Sequence, residues 1–188
     1  MVKLTISIIV ICLLLYALGD LYIIINAKGK EKKVLDFVTK NNKMYPAFVL
    51  EAYNKVYKNA STNKVRPDLF WYLLNRKKLR DYPQINLAYQ QTRTSKVELF
   101  CYAIAWSNVA TPNDCINAFI TNFNYLNGII GIEQASQHYF NKKLTDLNSD
   151  EILELIAMLD NPDFYNKFNY PEHLNRRINF ILQNGRNN

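Results

Sequence analysis

The sequence predicts an all-α fold in which one helical domain follows a single N-terminal membrane-spanning helix. Three observations support this prediction: apolar residues recur at helical spacing, prolines and capping residues mark helix starts, and no alternating strand pattern of useful length occurs. A chain of 188 residues is long enough for one domain with its own core beside the anchor. We assign residues 1–27 to the anchor and residues 28–188 to the domain.

The N-terminal segment is predicted to cross a membrane. Leu4 to Ile25 is almost entirely apolar, with Asp20 as its one charged residue, and about 20 apolar residues are enough to span a bilayer. Ala17-Leu18-Gly19 weakly resembles a signal-peptidase site, so a cleaved signal peptide is the alternative. The apolar run continues through residues 21–25, past that site, which favours an uncleaved anchor.

The residues that follow the anchor are predicted to form a helix on the bilayer surface. Val34, Phe37 and Val38 follow helical spacing and have lysines as neighbours. An apolar face bordered by cations suits contact with anionic lipids. We therefore expect residues 28–58 to lie against the membrane.

Local signals divide the rest of the domain into helices. Pro46 and Pro67 each open a predicted helix, because proline is favoured at the first helical position. Pro83 marks a break, and the apolar run from Val97 to Trp106 follows it. Three capping signals predict further boundaries: Thr111-Pro112, Asn148 with Glu151, and Asn184-Gly185.

Composition narrows the classes of partner and cofactor. The net charge of +7 is compatible with anionic lipids, with diphosphate lipids or with nucleic acid. No nucleic-acid motif occurs, and the positive charge is scattered or adjacent to the apolar segment, so we expect a membrane partner and no nucleic acid. The three cysteines form no Cys-x-x-Cys pair or Cys/His cluster, so we expect no zinc site, and we expect no cofactor. Cys101 and Cys115 could pair with each other, but a buried free thiol is favoured for each.

Three segments in the second half of the chain occur in a recognisable order. Gly131 to Lys142 comes first, Asp150 to Pro162 follows, and Pro171 to Arg177 opens the closing helix. This order resembles the C-terminal half of the peptidoglycan glycosyltransferases of glycosyltransferase family 51, lysozyme-like enzymes that polymerise lipid II. Their pattern runs Gly-x-Glu-Ala-Ala-x-x-Tyr-Phe-Gly-Lys, then a Leu-x-x-x-Glu-Ala-Ala-Leu-Leu-Ala helix, then a proline and an arginine-containing helix. The resemblance covers residues 96 to 183 and implies a lysozyme-like helical domain.

The same resemblance implies that the family's catalytic base is missing. In the family a Pro-Ala-Leu-Val lead-in precedes a Glu-Asp-x-x-Phe-x-x-His-x-Gly motif, whose glutamate deprotonates the sugar hydroxyl. Residues 46–49 match the lead-in, but the catalytic position falls at about Val56-Tyr57, where no carboxylate and no His-x-Gly occur. The nearest carboxylate, Glu51, lies about a turn and a half earlier on a different helix face. A general base at the usual position is therefore absent.

Four ligand contacts and one catalytic candidate follow from the remaining family motifs. Gln90 belongs to a segment that stands where the family has Gly-Gly-Ser-Thr-Ile-x-Gln-Gln-Leu, although the paired glycines are absent. Arg93, Lys96 and Glu98 match in outline an Arg-Lys-x-x-Glu stretch, which implies that the two bases face a diphosphate while Glu98 is the catalytic candidate. An ordinary charged helix start is the alternative. Glu133 matches the fourth motif, where we expect it to cap backbone amides or to pair with an arginine.

The closing helix carries a pair of arginines. Arg176 and Arg177 are expected to tie this helix to the body of the domain through carboxylates. We interpret them as structural residues.

Three functions are compatible with these features. The favoured one is a membrane-anchored, family-51-like protein that has lost catalysis and binds lipid II, a glycan strand or a cell-wall synthesis protein. The second is an active, divergent peptidoglycan glycosyltransferase with Glu98 or Glu51 as its base. A divalent metal is compatible only with this second function. The third is an unrelated helical membrane-associated assembly or immunity factor.

The orientation in the membrane is predicted differently by charge and by resemblance. Lysines 28, 30, 32 and 33 follow the anchor and only Lys3 precedes it, so the positive-inside rule alone would put the domain in the cytoplasm. The resemblance implies the opposite, a domain on the extracytoplasmic face of the bacterial inner membrane. We follow the resemblance.

Overall fold

The protein is helical throughout the part of the chain that the structure, a computed structural model, describes: residues 2–41, 43–65, 76–92 and 95–185. The all-α prediction is confirmed, and within these ranges the one β-type pairing is an isolated bridge between Asn124 and Ile130. Short 3-10 turns cover residues 76–81, 144–146 and 158–160. The α-helices are α1 (Val2–Lys40), α2 (Ala47–Val56), α3 (Pro83–Gln91), α4 (Lys96–Val109), α5 (Pro112–Asn122), α6 (Ile132–Phe140), α7 (Ser149–Ala157) and α8 (Pro171–Gly185).

Helix α1 runs without a break from the apolar segment into the domain. Its described part from Thr5 onward is long and apolar enough to cross a membrane. Toward its C-terminal end, Ile23, Ala27 and Val34 are buried at the regular spacing of one helix face. The boundary proposed after residue 27 therefore falls inside a continuous helix, and the division into anchor and domain stays a prediction.

The expectation that Val34, Phe37 and Val38 contact lipid is wrong. Val34 is buried, and the other two side chains pack against the domain core. The ring of Phe37 meets Trp106 of α4 edge-on, with 5.6 Å between centroids. An apolar helix face binds whichever apolar surface is nearest, and here α4 supplies that surface.

Helix α4 lies at the centre of the domain. Every residue from Leu99 to Trp106 is buried, as expected for a helix that is apolar on all faces. Its start is capped by Ser95, whose hydroxyl accepts a hydrogen bond from the Glu98 amide. Helices α1 and α3 pack against it, and α5 packs against α3.

The local signals in the sequence correspond closely to helix boundaries. Thr111 and Asn148 each form a complete capping box at the starts of α5 and α7, as predicted. Pro46 directly precedes α2. Pro83, predicted only as a break, is the first residue of α3. The helix predicted from Pro67 lies outside the described residues.

A tight turn before α6 requires glycine at position 131. The amide of Gly131 donates to the carbonyl of Phe123 at 2.8 Å, which draws the chain back against the end of α5. Gly131 has a φ of 82°, and a Cβ there would approach the Thr121 carbonyl oxygen to 2.5 Å. Any other residue would be strained both by its backbone and by this contact.

Candidate ligand cleft

A cleft with a volume of about 750 Å³ opens between α2, α3, α5 and the 3-10 turn at residues 158–160. Its described walls combine side-chain amides with aromatic rings and contain one carboxylate and one guanidinium. The lining residues are Tyr57, Leu79, Arg80, Asn86, Tyr89, Gln90, Phe119, Asn122, Phe123, Asn124, Leu159, Asp160 and Pro162.

Tyr57 lines this cleft and belongs to the pair, about Val56-Tyr57, where the family resemblance puts the catalytic base. It caps the C-terminus of α2, with its amide bonded to the Tyr53 carbonyl, and its side chain is buried. Its hydroxyl donates to Oδ1 of Asp160 at 3.2 Å. Burial, together with the nearby Asp160 carboxylate, holds the pKa of Tyr57 well above its usual value, so the phenol stays neutral.

Asp160 is the carboxylate of the described cleft wall, and basic groups hold both of its oxygens. Nη1 of Arg80 donates to Oδ1 at 2.8 Å, and Nη2 of Arg177 donates to Oδ2. The Asp160 side chain is only 7% exposed, whereas Arg80 is 62% exposed and reaches it from solvent. The contact with Arg177 confirms for this residue that the closing helix is tied to the body through a carboxylate, whereas Arg176 donates to the Glu172 carbonyl of its own helix.

Sequence reasoning missed Asp160 as a site residue. It lies at the end of the apolar α7 segment, just before Asn161-Pro162. The signal that would have indicated Asp160 is a carboxylate at the end of an apolar helix, together with the arginine pair on the closing helix.

Gln90 is the predicted ligand contact that lines the cleft. Its Nε2 donates to the Phe119 carbonyl at 3.3 Å. Its Oε1 is buried and has no hydrogen-bond partner among the described residues. An unpaired buried amide oxygen is costly, so it favours a ligand that brings a donor.

Glu98 lies elsewhere, where α4 meets α1. Its Oε1 accepts from Nζ of Lys30 at 3.2 Å, and its Oε2 accepts from the Thr92 hydroxyl at 3.3 Å. Lys30 also lies over the ring of Tyr102, with Nζ 4.4 Å from the centroid. Glu98 is not among the residues that line the cleft, so it does not share that space with Asp160. Its catalytic role stays a prediction.

Lys96 and Glu133, two further predicted site residues, are not among the residues that line the cleft. Lys96 is exposed in the first turn of α4, and Arg93 lies outside the described residues. Glu133, in the first turn of α6, pairs with Lys43 rather than with an arginine, and both side chains are about half exposed. It borders a separate groove of about 390 Å³. The ligand-binding roles of these residues stay predictions.

The described residues offer no obvious metal site. No group of three or more His, Cys, Asp or Glu side chains comes together in this part of the chain. Asp160 is a poor ligand for a cation because both of its oxygens already accept from guanidinium groups.

Comparison with known proteins gives one family and a set of partial relatives. The model of the family described as Transglycosylase matches residues 82–186. Penicillin-binding protein 2a of Streptococcus pneumoniae serotype 2 is 30% identical over 98 residues, which cover 52% of this chain and 13% of the relative. A biosynthetic peptidoglycan transglycosylase of Bordetella avium is 38% identical over 56 residues, covering 30% of this chain and 23% of the relative.

A second biosynthetic peptidoglycan transglycosylase, from Dechloromonas aromatica, is similar over a longer stretch. It is 25% identical over 87 residues, which cover 46% of this chain and 38% of the relative. The matched segments thus span well under half the length of each of these three relatives.

Proposed function

The chain belongs to the transglycosylase family, whose model matches more than half of it, and we propose that it is a member that binds peptidoglycan precursor or glycan without polymerising it. Its domain is peptidoglycan-glycosyltransferase-like and all-helical. The proposal concerns what this domain does with its cleft.

One observation carries the proposal: the described cleft wall offers no carboxylate that is free to take a proton. Tyr57 occupies the position expected for the base, and its neutral hydroxyl itself donates to Asp160. Asp160 accepts from Tyr57, Arg80 and Arg177, so both of its oxygens are engaged, and taking a proton from a sugar hydroxyl would remove the negative charge that pairs with the two guanidinium groups. A general base has to be within hydrogen-bond reach of the proton that it removes.

The cleft retains the chemistry needed for binding. Its volume of about 750 Å³ is typical of small-molecule sites. Asn86, Gln90 and Asn122 supply amide groups for sugar hydroxyls and N-acetyl groups, and Tyr89 and Phe119 supply aromatic faces. Outside the cleft, exposed Lys96 is the residue that we propose for a charge-assisted contact with the diphosphate of a bound lipid.

The proposal includes a location. We infer that α1 anchors the protein in the bacterial inner membrane and that the domain is on the extracytoplasmic side. The apolar N-terminal part of α1 supports the anchor. A protease-protection assay on sealed vesicles tests the orientation, and a domain cleaved only by protease on the cytoplasmic side would reverse it.

The test of function uses the full chain in detergent with lipid II. We expect saturable binding and no glycan strands, because loss of a general base commonly lowers the rate by about a hundred- to ten-thousand-fold. Lys96→Ala should weaken binding several-fold. Lys143→Ala, which removes an exposed lysine near α6, is the matched control and should leave binding unchanged.

Three results would overturn the proposal. If the wild type makes glycan strands and Glu98→Gln makes none, the protein is an active enzyme with Glu98 as its base. If glycan strands are lost in Asp160→Asn and not in Glu98→Gln, the general base is Asp160. Absence of both binding and strands would leave the domain as a scaffold for another protein.

A further inference from the structure

Three aromatic rings of the loop between the 3-10 turn at residues 158–160 and α8 face solvent. Phe164 is 48%, Phe168 58% and Tyr170 46% exposed. Two histidines pack on these rings. His173 stacks on Phe164 and Tyr170 with centroids 4.2 and 5.3 Å away, and His138 meets Phe168 at 5.6 Å. We name these five side chains the aromatic surface.

The loop holds these rings in position through its own hydrogen bonds. Asn166 is buried, and its Oδ1 accepts from the amides of Phe168 and Asn169 at 2.9 and 3.0 Å. Its Nδ2 donates to the hydroxyl of Tyr139 at 3.3 Å. Lys167 is tied to Glu154 at 2.6 Å. The exposure of the rings is therefore a property of an ordered loop, and ordered apolar exposure indicates an interaction surface.

The aromatic surface is continuous with the cleft. Pro162 lines the cleft, and the loop leaves from it. Arg177 binds Asp160 in the cleft wall, and its guanidinium lies 6.0 Å from the ring centroid of Tyr165. Tyr165 in turn meets Phe164 with 5.1 Å between centroids. A chain of contacts thus leads from the cleft carboxylate to the first exposed ring.

We infer that the aromatic surface is a second saccharide-binding site, which receives the part of a neutral N-acetyl amino-sugar chain that extends beyond the cleft. This inference rests on the proposed function, because it takes the cleft as the first contact. A cleft of about 750 Å³ has room for a ligand of only a few sugars, so a longer chain has to continue over the rim.

The chemistry of the surface favours a sugar chain. Pyranose rings present C–H faces that stack on aromatic rings, while their hydroxyl and N-acetyl groups bond to amides. Exposed Asn161 and Asn169 supply such amides beside the rings, and the one lysine of the loop, Lys167, is already paired. Exposed Asp163 and Glu172 add negative charge, which opposes docking on an anionic lipid surface.

The test compares two peptide-free glycans of different length on the full chain in detergent. The probes are a tetrasaccharide and a long strand, both built from the same neutral N-acetyl amino-sugar repeat. Their binding is measured by calorimetry. Replacing Phe164, Phe168 and Tyr170 together with alanine should weaken binding of the long strand about tenfold, as expected for loss of an aromatic contact patch. Binding of the tetrasaccharide should not change. Phe180→Ala, which removes a ring 59% exposed on α8, is the matched control and should bind both probes like the wild type.

A second measurement needs no variant. Adding the long strand to the wild type should shift the ring-proton resonances of Phe168 and Tyr170, and adding the tetrasaccharide should not. If the tetrasaccharide binds while the triple variant holds the long strand as well as the wild type does, or the rings do not shift, the inference is wrong and the proposed function stands. If neither glycan nor lipid II binds the wild type, the proposed function fails and the inference fails with it.

Discussion

The segment from Thr111 to Asp160 and the segment from Pro46 to Gln91 differ in how closely their residues follow the family's motifs. In the first, the Gly131 turn and two capping boxes occur as their residues predict. In the second, α2 and α3 are present, but Tyr57 lies at about the position where the resemblance puts the family's base. Residues that specify the helical framework are thus distinct from residues that would perform the chemistry.

The two segments meet at Asp160. This carboxylate comes from the first segment, and it accepts from Tyr57 and Arg80 of the second and from Arg177 of α8. Glu133, the glutamate that matches a family motif, makes one exposed ion pair with Lys43. We therefore expect Glu133, which matches a family motif, to contribute less to the free energy of unfolding than Asp160, which matches none.

The largest effect on folding stability is expected at the Gly131 turn, which belongs to the helical framework. Gly131→Ala should lower the free energy of unfolding by about 3 kcal/mol, because alanine would be strained at this φ and its Cβ would meet the Thr121 carbonyl. Urea unfolding of the full chain in detergent, followed by circular dichroism, measures the loss. Gly128→Ala is the matched control, since its φ is also positive but no atom lies within 4 Å of the added Cβ. Equal losses at the two positions would mean that the close approach at Gly131 contributes nothing.

A smaller loss of folding stability is expected at Asp160, where the two segments meet. Asp160→Asn should cost about 2 kcal/mol, because it leaves Arg177 partly buried without its counter-charge, while the exposed Arg80 contributes little. The same unfolding assay on Glu133→Gln should show at most about 0.5 kcal/mol, since that pair is exposed. A larger cost at Glu133 than at Asp160 would reverse the ranking of the two carboxylates.

The smallest effect concerns how the stability of the fold depends on pH. Donation from Lys142, and from the backbone amide of Asn148, lowers the pKa of Glu151 from its ordinary value of 4.5. Because the folded-state pKa lies below the unfolded one, the stabilisation is present above pH 4.5 and is lost as the pH falls through the folded pKa. Glu151→Gln should therefore flatten the acid side of the stability profile.

The neighbouring lysine gives an independent check of that prediction. Lys142→Met removes the main cause of the shift, so it should flatten the same acid limb while leaving the capping box intact. Urea midpoints measured from neutral to acidic pH compare the three proteins. An unchanged acid limb in both variants would show that other carboxylates control acid unfolding.

The sequence alone determined the features that depend on near neighbours. The caps at Thr111 and Asn148 bond to groups three residues away, and the helical spacing of apolar residues is likewise local. The same reasoning indicated that the closing helix is held by an arginine. The absence of a carboxylate at about Val56-Tyr57 is also read from the sequence, but the loss of catalysis inferred from it stays a prediction.

Only the tertiary structure decided which residues form the site. Arg80 and Tyr57 reach Asp160 across 80 and 103 positions of sequence, and Lys30 reaches Glu98 across 68. The same packing buries Val34 under α4 instead of leaving it for lipid. Each of these outcomes depends on how whole helices pack, because an ion pair or an apolar face takes the partner that packing brings within reach, and no spacing along the chain encodes that partner.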